Sequence, residues 1–202
     1  MKLYYSPGAC SLASHIVLQE IGKPFSIEKV DLASKKTANG ADFSAINPKG
    51  YVPTIELAPG EILTEGPAIL QHLADQAGRL APAPGTLARA RLNEWLTFIN
   101  GEVHKAFGPL FKADSSADAK EAAKTQLAKR FAHIEKTLSD GRDYLTGADF
   151  TIADAYLFVV TNWANFTGLS LEAFPRVQAF QARIASRPAV ERALVAEGLK
   201  AA

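Results

Sequence analysis

The single cysteine of this 202-residue chain stands where a predicted strand meets a predicted helix. Lys2–Tyr5 alternates and carries two aromatic residues, as a short strand does. Apolar residues with helical spacing begin at Leu12, so Cys10 lies at the start of that helix. Free N–H groups and the helix dipole stabilise a thiolate there, and Ser11 could donate a hydrogen bond to a sulfur anion. The pattern predicts an activated thiol, with a buried structural cysteine as the alternative.

The residues after Cys10 limit the sulfur chemistry that the chain can perform alone. Because Ser11–Ala13 follows it, the Cys-x-x-Cys motif of a disulfide oxidoreductase is absent. The second sulfur of any exchange must therefore come from a thiol outside the chain. A pKa two units below the free-thiol value of about 8.5 corresponds to roughly 2.7 kcal/mol of differential stabilisation.

Two further segments of the first half could bind an extended ligand. In Tyr51–Thr54 a proline precedes a strand, and a cis bond there would free the Val52 N–H and C=O for a ligand. Thr64–Pro67 opens a helix whose amides could bind a carboxylate while Glu65 holds an ammonium. Together these groups would bind the end of an α-amino acid. A Glu65 that only favours the helix dipole is the alternative.

One histidine of the second half stands in an unusual helical setting. Thr97, Gly101, His104 and Gly108 share one face by helical spacing. Glycine inside a helix costs about 1 kcal/mol relative to alanine, so something packs closely on this face. A ligand, a second helix or another subunit would each fit. A catalytic and a structural His104 both stay open.

Composition excludes several functional classes. The chain is 48% hydrophobic, which is ample for a core, and its net charge of +1 gives no footprint for nucleic acid or an anionic membrane. One cysteine cannot form an internal disulfide, and no apolar stretch has the length of a signal peptide or membrane span. We expect a cytoplasmic protein that binds neither nucleic acid nor membrane and holds no metal.

The order of elements predicts two domains. Predicted strands cover 2–5, 25–30, 54–57 and 61–64, and predicted helices cover 12–21, 41–46, 67–77, 92–110, 127–138 and 177–184, with another starting at 151. Residues 31–40 are expected to form a loop. We predict an α+β domain over residues 1–80, a Pro/Ala linker over 81–86 and an all-α domain over 87–202.

The chain resembles the glutathione transferases, and specifically the bacterial beta class, over nearly its whole length. The segments that carry the resemblance are Lys2–Ser11, Asn47–Pro53, Leu63–Ile69, Glu102–Lys105, Thr151–Tyr156 and Ala196–Leu199. The resemblance implies a thioredoxin-like domain followed by an α-helical bundle, the glutathione transferase fold. It also implies a role in detoxification, a cytosolic homodimer and a cis Pro53.

The resemblance further assigns residues to glutathione. It implies that Cys10 faces the glutathione sulfur, with Ser11 and His104 nearby. It implies that Val52 pairs with the cysteinyl part of the tripeptide. Contacts with the remaining parts of glutathione are implied for Lys35 (glycine carboxylate), Glu65 and Gly66 (γ-glutamyl end), Thr97, and Glu102 (across the dimer interface).

Two of these positions depart from the family pattern. The family often has Ser where Gly66 stands, so only a backbone contact is possible there. Beta-class proteins usually have Asn where Thr97 stands. The resemblance also implies an apolar electrophile pocket formed by Phe107, Phe111, Trp163 and Phe166, for which core packing is the alternative.

Three functional hypotheses follow. In the first, glutathione thiolate attacks a small hydrophobic electrophile, while Cys10, Ser11 and His104 orient or stabilise the sulfur. In the second, Cys10 is the nucleophile and forms a mixed disulfide with glutathione, giving thiol transferase, reductase or reductive dehalogenase-like activity. In the third, the protein is a non-catalytic binder of apolar compounds.

Overall fold

The computed structural model describes residues 1–201, which form two compact units. One contains Met1–Arg79 together with the segment from Ser186 onward, and the other contains Leu80–Ala185. The first carries a sheet with helices and the second is helical. The thioredoxin-like and helical architecture predicted from the sequence is confirmed.

A five-stranded mixed sheet forms the centre of the first unit. Its strands are β1 (Lys2–Tyr5), β2 (Ser26–Asp31), β3 (Lys36–Thr37), β4 (Thr54–Ala58) and β5 (Glu61–Thr64). The strand order is β3-β2-β1-β4-β5, in which only β1 and β2 pair in parallel. Since a parallel pair needs a crossover, the helix between these two strands is required by the topology.

The first unit has three helices before its connection to the second. They are α1 (Ser11–Ile21), α2 (Phe43–Ile46) and α3 (Gly66–Ala77). Helices α1 and α3 pack against each other, because each has an apolar stripe of helical period. A second apolar cluster joins the sheet to α2 and to the segment before β4, and consists of Tyr4, Val30, Phe43 and Val52.

One strand, β3, is not predicted by the sequence pattern. The sequence predicts a loop over residues 31–40, whereas Lys36–Thr37 forms β3 and pairs antiparallel with β2. This strand has two residues and therefore no alternation that a pattern could reveal. Its existence depends on the neighbouring strand that offers it hydrogen bonds.

The helical unit contains six α-helices with irregular turns between them. They are α4 (Leu87–Phe98), α5 (Gly108–Phe111), α6 (Ala117–Thr137), α7 (Ile152–Asn162), α8 (Ala164–Thr167) and α9 (Pro175–Ala185). Helix α7 is buried on every side from Ile152 to Thr161, as its apolar sequence predicts. Its N-terminus has a capping box between Thr151 and Asp154, for which the sequence has the spacing, with Asp in place of the usual Glu or Gln.

The helix predicted over 92–110 is not continuous. After α4 the chain forms a π-helical segment, Ile99–His104, and a 3₁₀ turn, Lys105–Phe107, before α5. Pro109 accounts for the 3₁₀ turn, because proline has no N–H to donate to the carbonyl of Lys105 four residues earlier, and that carbonyl accepts from the Gly108 N–H instead. The spacing of the apolar residues predicts that this segment is helical, but it does not predict the change from α-helical to π-helical and 3₁₀ hydrogen bonding.

The last helix, α10 (Pro188–Ala196), packs against α1 of the first unit. The sequence predicts residues 87–202 as one helical domain, whereas the segment from Ser186 belongs by its contacts to the N-terminal unit. The reason is the apolar face of α10, which buries Ala189, Val190 and Ala193.

Among residues 1–201, none of the helices is both long enough and apolar enough to cross a membrane. Within the same residues, no three or more His, Cys, Asp or Glu side chains are grouped so as to hold a metal ion.

Candidate functional site

Cys10 lies at the N-cap of α1 and keeps its proton. Its Sγ donates to the carbonyl oxygen of Val52 at 3.2 Å. Burial raises the pKa of the thiol to about 12, and the negative charge of Glu65 adds to the rise. The N–H groups of Cys10 and Ser11 oppose this effect but are outweighed. The prediction of a lowered pKa is therefore wrong, because desolvation exceeds the stabilisation by the helix end.

Ser11 stabilises the loop that leads to Cys10. Its buried hydroxyl accepts from the N–H of Ser6 at 3.2 Å and donates to the Ser6 carbonyl at 3.3 Å. Sequence alone predicts a hydrogen bond from this hydroxyl to sulfur, whereas the structure joins it to the other end of the loop. Its effect on Cys10 thus comes through backbone geometry.

The segment before β4 contains the cis peptide bond predicted at Val52–Pro53. The side chain of Asn47 donates to the Tyr51 carbonyl at 2.8 Å and to the Thr54 hydroxyl at 2.9 Å, which fixes both ends of the segment. Val52 is buried and its carbonyl accepts from Cys10. The Val52 backbone and the cysteine are therefore brought together, although they lie 42 residues apart in the sequence.

Glu65 holds an ammonium group in the ligand-free structure. Its Oε1 accepts from the Lys49 Nζ at 2.5 Å and from the Tyr51 hydroxyl at 2.6 Å. The hydrogen bond to Glu65 raises the pKa of both Lys49 and Tyr51. Glu65 has a left-handed backbone, with φ of 71°, immediately before α3. A glutamate in this strained conformation is uncommon and is typical of a functional position.

Lys35 and Gly66 are the other residues of the first unit that are predicted to contact glutathione. Lys35 has a φ of 56° and its Nζ donates to the Gly50 carbonyl at 2.7 Å. Gly66 is the first residue of α3, and the helix cap is Glu65, one residue earlier than predicted. A Cβ at Gly66 would lie 3.8 Å from Pro53 Cγ, an ordinary contact, so packing alone does not require glycine there.

A buried histidine–carboxylate hydrogen bond behind the Cys10 loop is not anticipated by the sequence pattern. His15 Nδ1 lies 2.9 Å from Glu197 Oε1, with side-chain exposures of 1% and 0%. The other oxygen, Oε2, accepts from the Gly8 N–H at 2.9 Å. The two partners are 182 residues apart, so no local signal links them. The one sequence signal for Glu197 is its place in Ala196–Leu199, a segment that resembles the family.

His104 is a neutral ring in the helical unit. Its Nδ1 lies 2.7 Å from the hydroxyl of Tyr156, whose proton is donated to Asn100 Oδ1 at 2.9 Å. Burial, assisted by the charge of Lys105, lowers the pKa of His104 to about 4. Trp163 packs edge-on to the imidazole at 4.8 Å between ring centroids. Sequence reasoning singled out His104 but missed Tyr156 and Asn100.

The four predicted pocket aromatics differ in exposure. Phe107 and Trp163 are buried, whereas Phe111 is 54% and Phe166 is 72% exposed. Phe111 stacks on Phe107 at 6.1 Å and meets Trp163 edge-on at 5.2 Å. Phe107 therefore belongs to the core, whereas Phe111 exposes about half of its surface.

Thr97 and Glu102 are the remaining predicted glutathione contacts, and each has a partner within the helical unit. The Thr97 hydroxyl donates to the Asn93 carbonyl at 2.8 Å, one turn earlier in α4. Glu102 forms an ion pair with Arg130 at 2.6 Å. Their predicted roles toward glutathione stay predictions.

Comparison with protein families identifies both halves of the chain. Residues 8–76 match the model described as "Glutathione S-transferase, N-terminal domain", and residues 98–188 match that of the C-terminal domain. The chain is 48% identical to Glutathione S-transferase GstA of Escherichia coli O157:H7, over 99% of this chain and 100% of that protein. The chain belongs to the glutathione S-transferase family.

Solved structures place this glutathione transferase beside bacterial relatives. BphK, a bacterial GST solved as a ternary complex, superposes with a TM-score of 0.96 at 50% identity, covering 98% of this chain and 100% of that chain. A sphingomonad glutathione S-transferase complexed with glutathione superposes with a TM-score of 0.94 at 49% identity, covering 99% of this chain and all of that one. The predicted family, fold and enzyme class are confirmed, and the neighbours include a beta-class protein.

Proposed function

We propose that this transferase binds glutathione on its N-terminal unit and joins the glutathione sulfur to small hydrophobic electrophiles. The observation that carries the proposal is the carboxylate of Glu65, which already holds the ammonium of Lys49 at the start of α3. An ammonium in this place is what the γ-glutamyl end of glutathione would present. The neighbouring amides at the start of α3 suit its carboxylate.

The protonated Cys10 supports glutathione rather than the protein as the nucleophile. A thiolate is the reactive form of sulfur, and burial keeps the Cys10 thiol in its neutral form. In the reaction that we propose, the glutathione thiolate forms a bond to an electrophilic carbon and the leaving group departs with the bonding electron pair. Cys10 then acts as a hydrogen-bond donor, as it does toward Val52 in the ligand-free protein.

The electrophile is proposed to be small and apolar, on the evidence of the helical unit. Phe111 exposes about half of its surface although it stacks against two buried aromatic rings. An exposed aromatic face of this kind favours flat, apolar molecules such as halogenated aromatics.

We also propose a cytoplasmic homodimer, in which Glu102 would contact glutathione across the interface. The cytoplasmic location and the homodimer are both implied by the family resemblance.

Replacement of Glu65 tests the proposal. Calorimetry should give a glutathione Kd about tenfold or more higher in Glu65→Gln than in the unmodified protein, because charge-assisted hydrogen bonds are lost. Glu61→Gln, another exposed glutamate of the same unit, is the matched control and should bind normally. Conjugation of a halogenated nitroaromatic should decline in parallel at subsaturating glutathione. Glutathione binding that is equal in all three proteins would contradict the site.

A further inference from the structure

A hydrogen-bonded chain of three side chains lies inside the helical unit. It runs from His104 Nδ1 to the Tyr156 hydroxyl, 2.7 Å, and from that hydroxyl to Asn100 Oδ1, 2.9 Å. Tyr156 lies on α7 and is 2% exposed, so its hydroxyl has a fixed position. The chain therefore links two parts of the sequence that are 52 to 56 residues apart.

The protons of this chain determine the tautomer of the imidazole. A phenol has a single proton, and that of Tyr156 is donated to Asn100. Toward His104 the phenol oxygen can then only accept, so Nδ1 must carry the ring proton. In a neutral imidazole the other nitrogen, Nε2, is left with a lone pair. Within residues 1–201 the His104 side chain makes no second hydrogen bond, so this lone pair is available.

The backbone around the chain is irregular at the same place. Asn100 and His104 both lie in the π-helical segment Ile99–His104, which interrupts the path between α4 and α5. A π-helix is less stable than an α-helix, and single π-turns occur frequently at functional sites. Here Asn100 and His104, both in this irregular turn, bond the same hydroxyl of Tyr156.

The surroundings of His104 indicate what its free nitrogen could meet. The ring packs edge-on against Tyr156 and Trp163, and Trp163 in turn contacts the half-exposed Phe111. The ring is neutral at pH 7, so its lone pair is a permanent acceptor. A partner with a thiol or hydroxyl donor fits an acceptor that is flanked by aromatic rings.

We propose that Tyr156 and Asn100 are positioning residues that hold His104 in the Nδ1–H tautomer, so that Nε2 accepts a hydrogen bond from a substrate thiol or hydroxyl. The inference deepens the proposed function and rests on it for the identity of the donor. The tautomer itself is a property of the ligand-free chain and is tested without glutathione.

Nitrogen NMR of histidine rings at pH 7 reads the tautomer directly. The chain has four histidines, and His104→Gln assigns the signals of His104. In the unmodified protein Nδ1 should show the shift of a protonated nitrogen and Nε2 that of an unprotonated one. Asn100→Leu removes the acceptor, so Tyr156 should donate to Nδ1 and the ring should move to the Nε2–H form. Asn100→Asp keeps an acceptor oxygen and should keep the Nδ1–H form.

Kinetics give the second readout. Asn100→Leu should lower kcat about tenfold or more, with the KM for glutathione changed less than about twofold, whereas Asn100→Asp should recover most of kcat. Asn165→Leu, at an exposed asparagine of the same unit, is the control and should behave as the unmodified protein. Melting curves identify a variant that is unfolded, and Tyr156→Phe then replaces Asn100→Leu, since it also removes the constraint on Nδ1.

Two results would overturn the inference. One is an Nε2–H ring in the unmodified protein, and the other is an Nδ1–H ring that persists in both Asn100→Leu and Tyr156→Phe. A protein that shows the expected tautomers but neither binds nor conjugates glutathione would contradict the proposed function and leave the positioning of His104 intact. The two proposals therefore fail through different measurements.

Discussion

Cys10 carries its proton in the ligand-free structure, since its thiol donates to Val52 and burial raises its pKa to about 12. The N–H groups at the start of α1 act in the opposite direction. The N–H groups stabilise the thiolate, but the loss of its hydration on burial costs more than they return, so the neutral thiol is favoured. His104 shows the same rule with the opposite sign, since burial lowers the pKa of a base to about 4.

The first prediction at the residue scale concerns the titration of Cys10. As the only cysteine, it can be followed by its thiolate absorbance, with Cys10→Ala as the blank. No thiolate should form between pH 6 and about 10, because the pKa is raised above the ordinary value of about 8.5. Alkylation by iodoacetamide should be correspondingly slow.

The same thiol separates the two sulfur mechanisms. Mass spectrometry after exposure to glutathione disulfide should show little glutathionyl adduct on Cys10, because a protonated thiol is a poor nucleophile. A thiolate that titrates below pH 8, with rapid formation of the adduct, would contradict this prediction. Such a result would favour the thiol transferase mechanism.

At the scale of single elements, α7 depends on its capping box. The carboxylate of Asp154 is buried and accepts from the Leu145 N–H at 2.8 Å and from the N–H and hydroxyl of Thr151 at 2.8 and 2.7 Å. Burial raises the pKa of this carboxyl to about 6 despite these three donors. The group therefore anchors both the helix start and the preceding loop.

Replacement of Asp154 by alanine should lower the free energy of unfolding by about 2–4 kcal/mol, because buried donors lose their acceptor. Urea unfolding measures the change. Asp118→Ala, in the exposed first turn of α6, is the control and should cost at most about 0.5 kcal/mol. Equal losses in the two variants would show that the buried capping box has no special importance.

The elements also differ in how far local sequence determines them. Helix α7 is fixed by its capping residues and its apolar composition, both of which are visible in the sequence. The π-helical turn at Ile99–His104 and the two-residue strand β3 are not, because each depends on partners far away in the chain. The side chains of Asn100 and His104 in the first bond the hydroxyl of Tyr156, and the second pairs with β2.

At the scale of the whole molecule, the end of the chain returns to the N-terminal unit. Helix α10 packs on α1, and the buried pair of His15 and Glu197 fixes that contact. The remaining oxygen of Glu197 holds Gly8, two residues before Cys10. The last segment thus contributes both to the stability of the unit and to the shape of the Cys10 loop.

Removal of Glu197 should therefore be costly. Glu197→Ala should lower the free energy of unfolding by about 3–5 kcal/mol, because it leaves the His15 ring buried without its carboxylate partner and removes the acceptor of the Gly8 N–H. Glu191→Ala, which breaks the exposed pair with Lys200, is the matched control and should cost at most about 1 kcal/mol. Denaturant unfolding followed by fluorescence measures both variants.

A further variant separates the hydrogen-bonded pair from simple packing. Replacing His15 and Glu197 together by leucine should recover part of the stability that Glu197→Ala loses, since an apolar pair avoids an unpaired buried group. If Glu197→Ala were as stable as the control, the pair would have no structural importance. The Cys10 loop would then depend on its other hydrogen bonds, among them those of Ser11.

The sequence by itself determined the family, the order of most elements, the cis Val52–Pro53 bond through the resemblance, and the identity of Cys10, Glu65 and His104 as candidate residues. These features depend on local spacing, turn chemistry and motifs, all of which can be read directly from the sequence. Only the tertiary structure decided the protonation of Cys10, the ammonium held by Glu65 and the hydrogen bond between His104 and Tyr156. Each of these depends on burial and on partners distant in sequence, because a pKa or a proton position is set by neighbours in space.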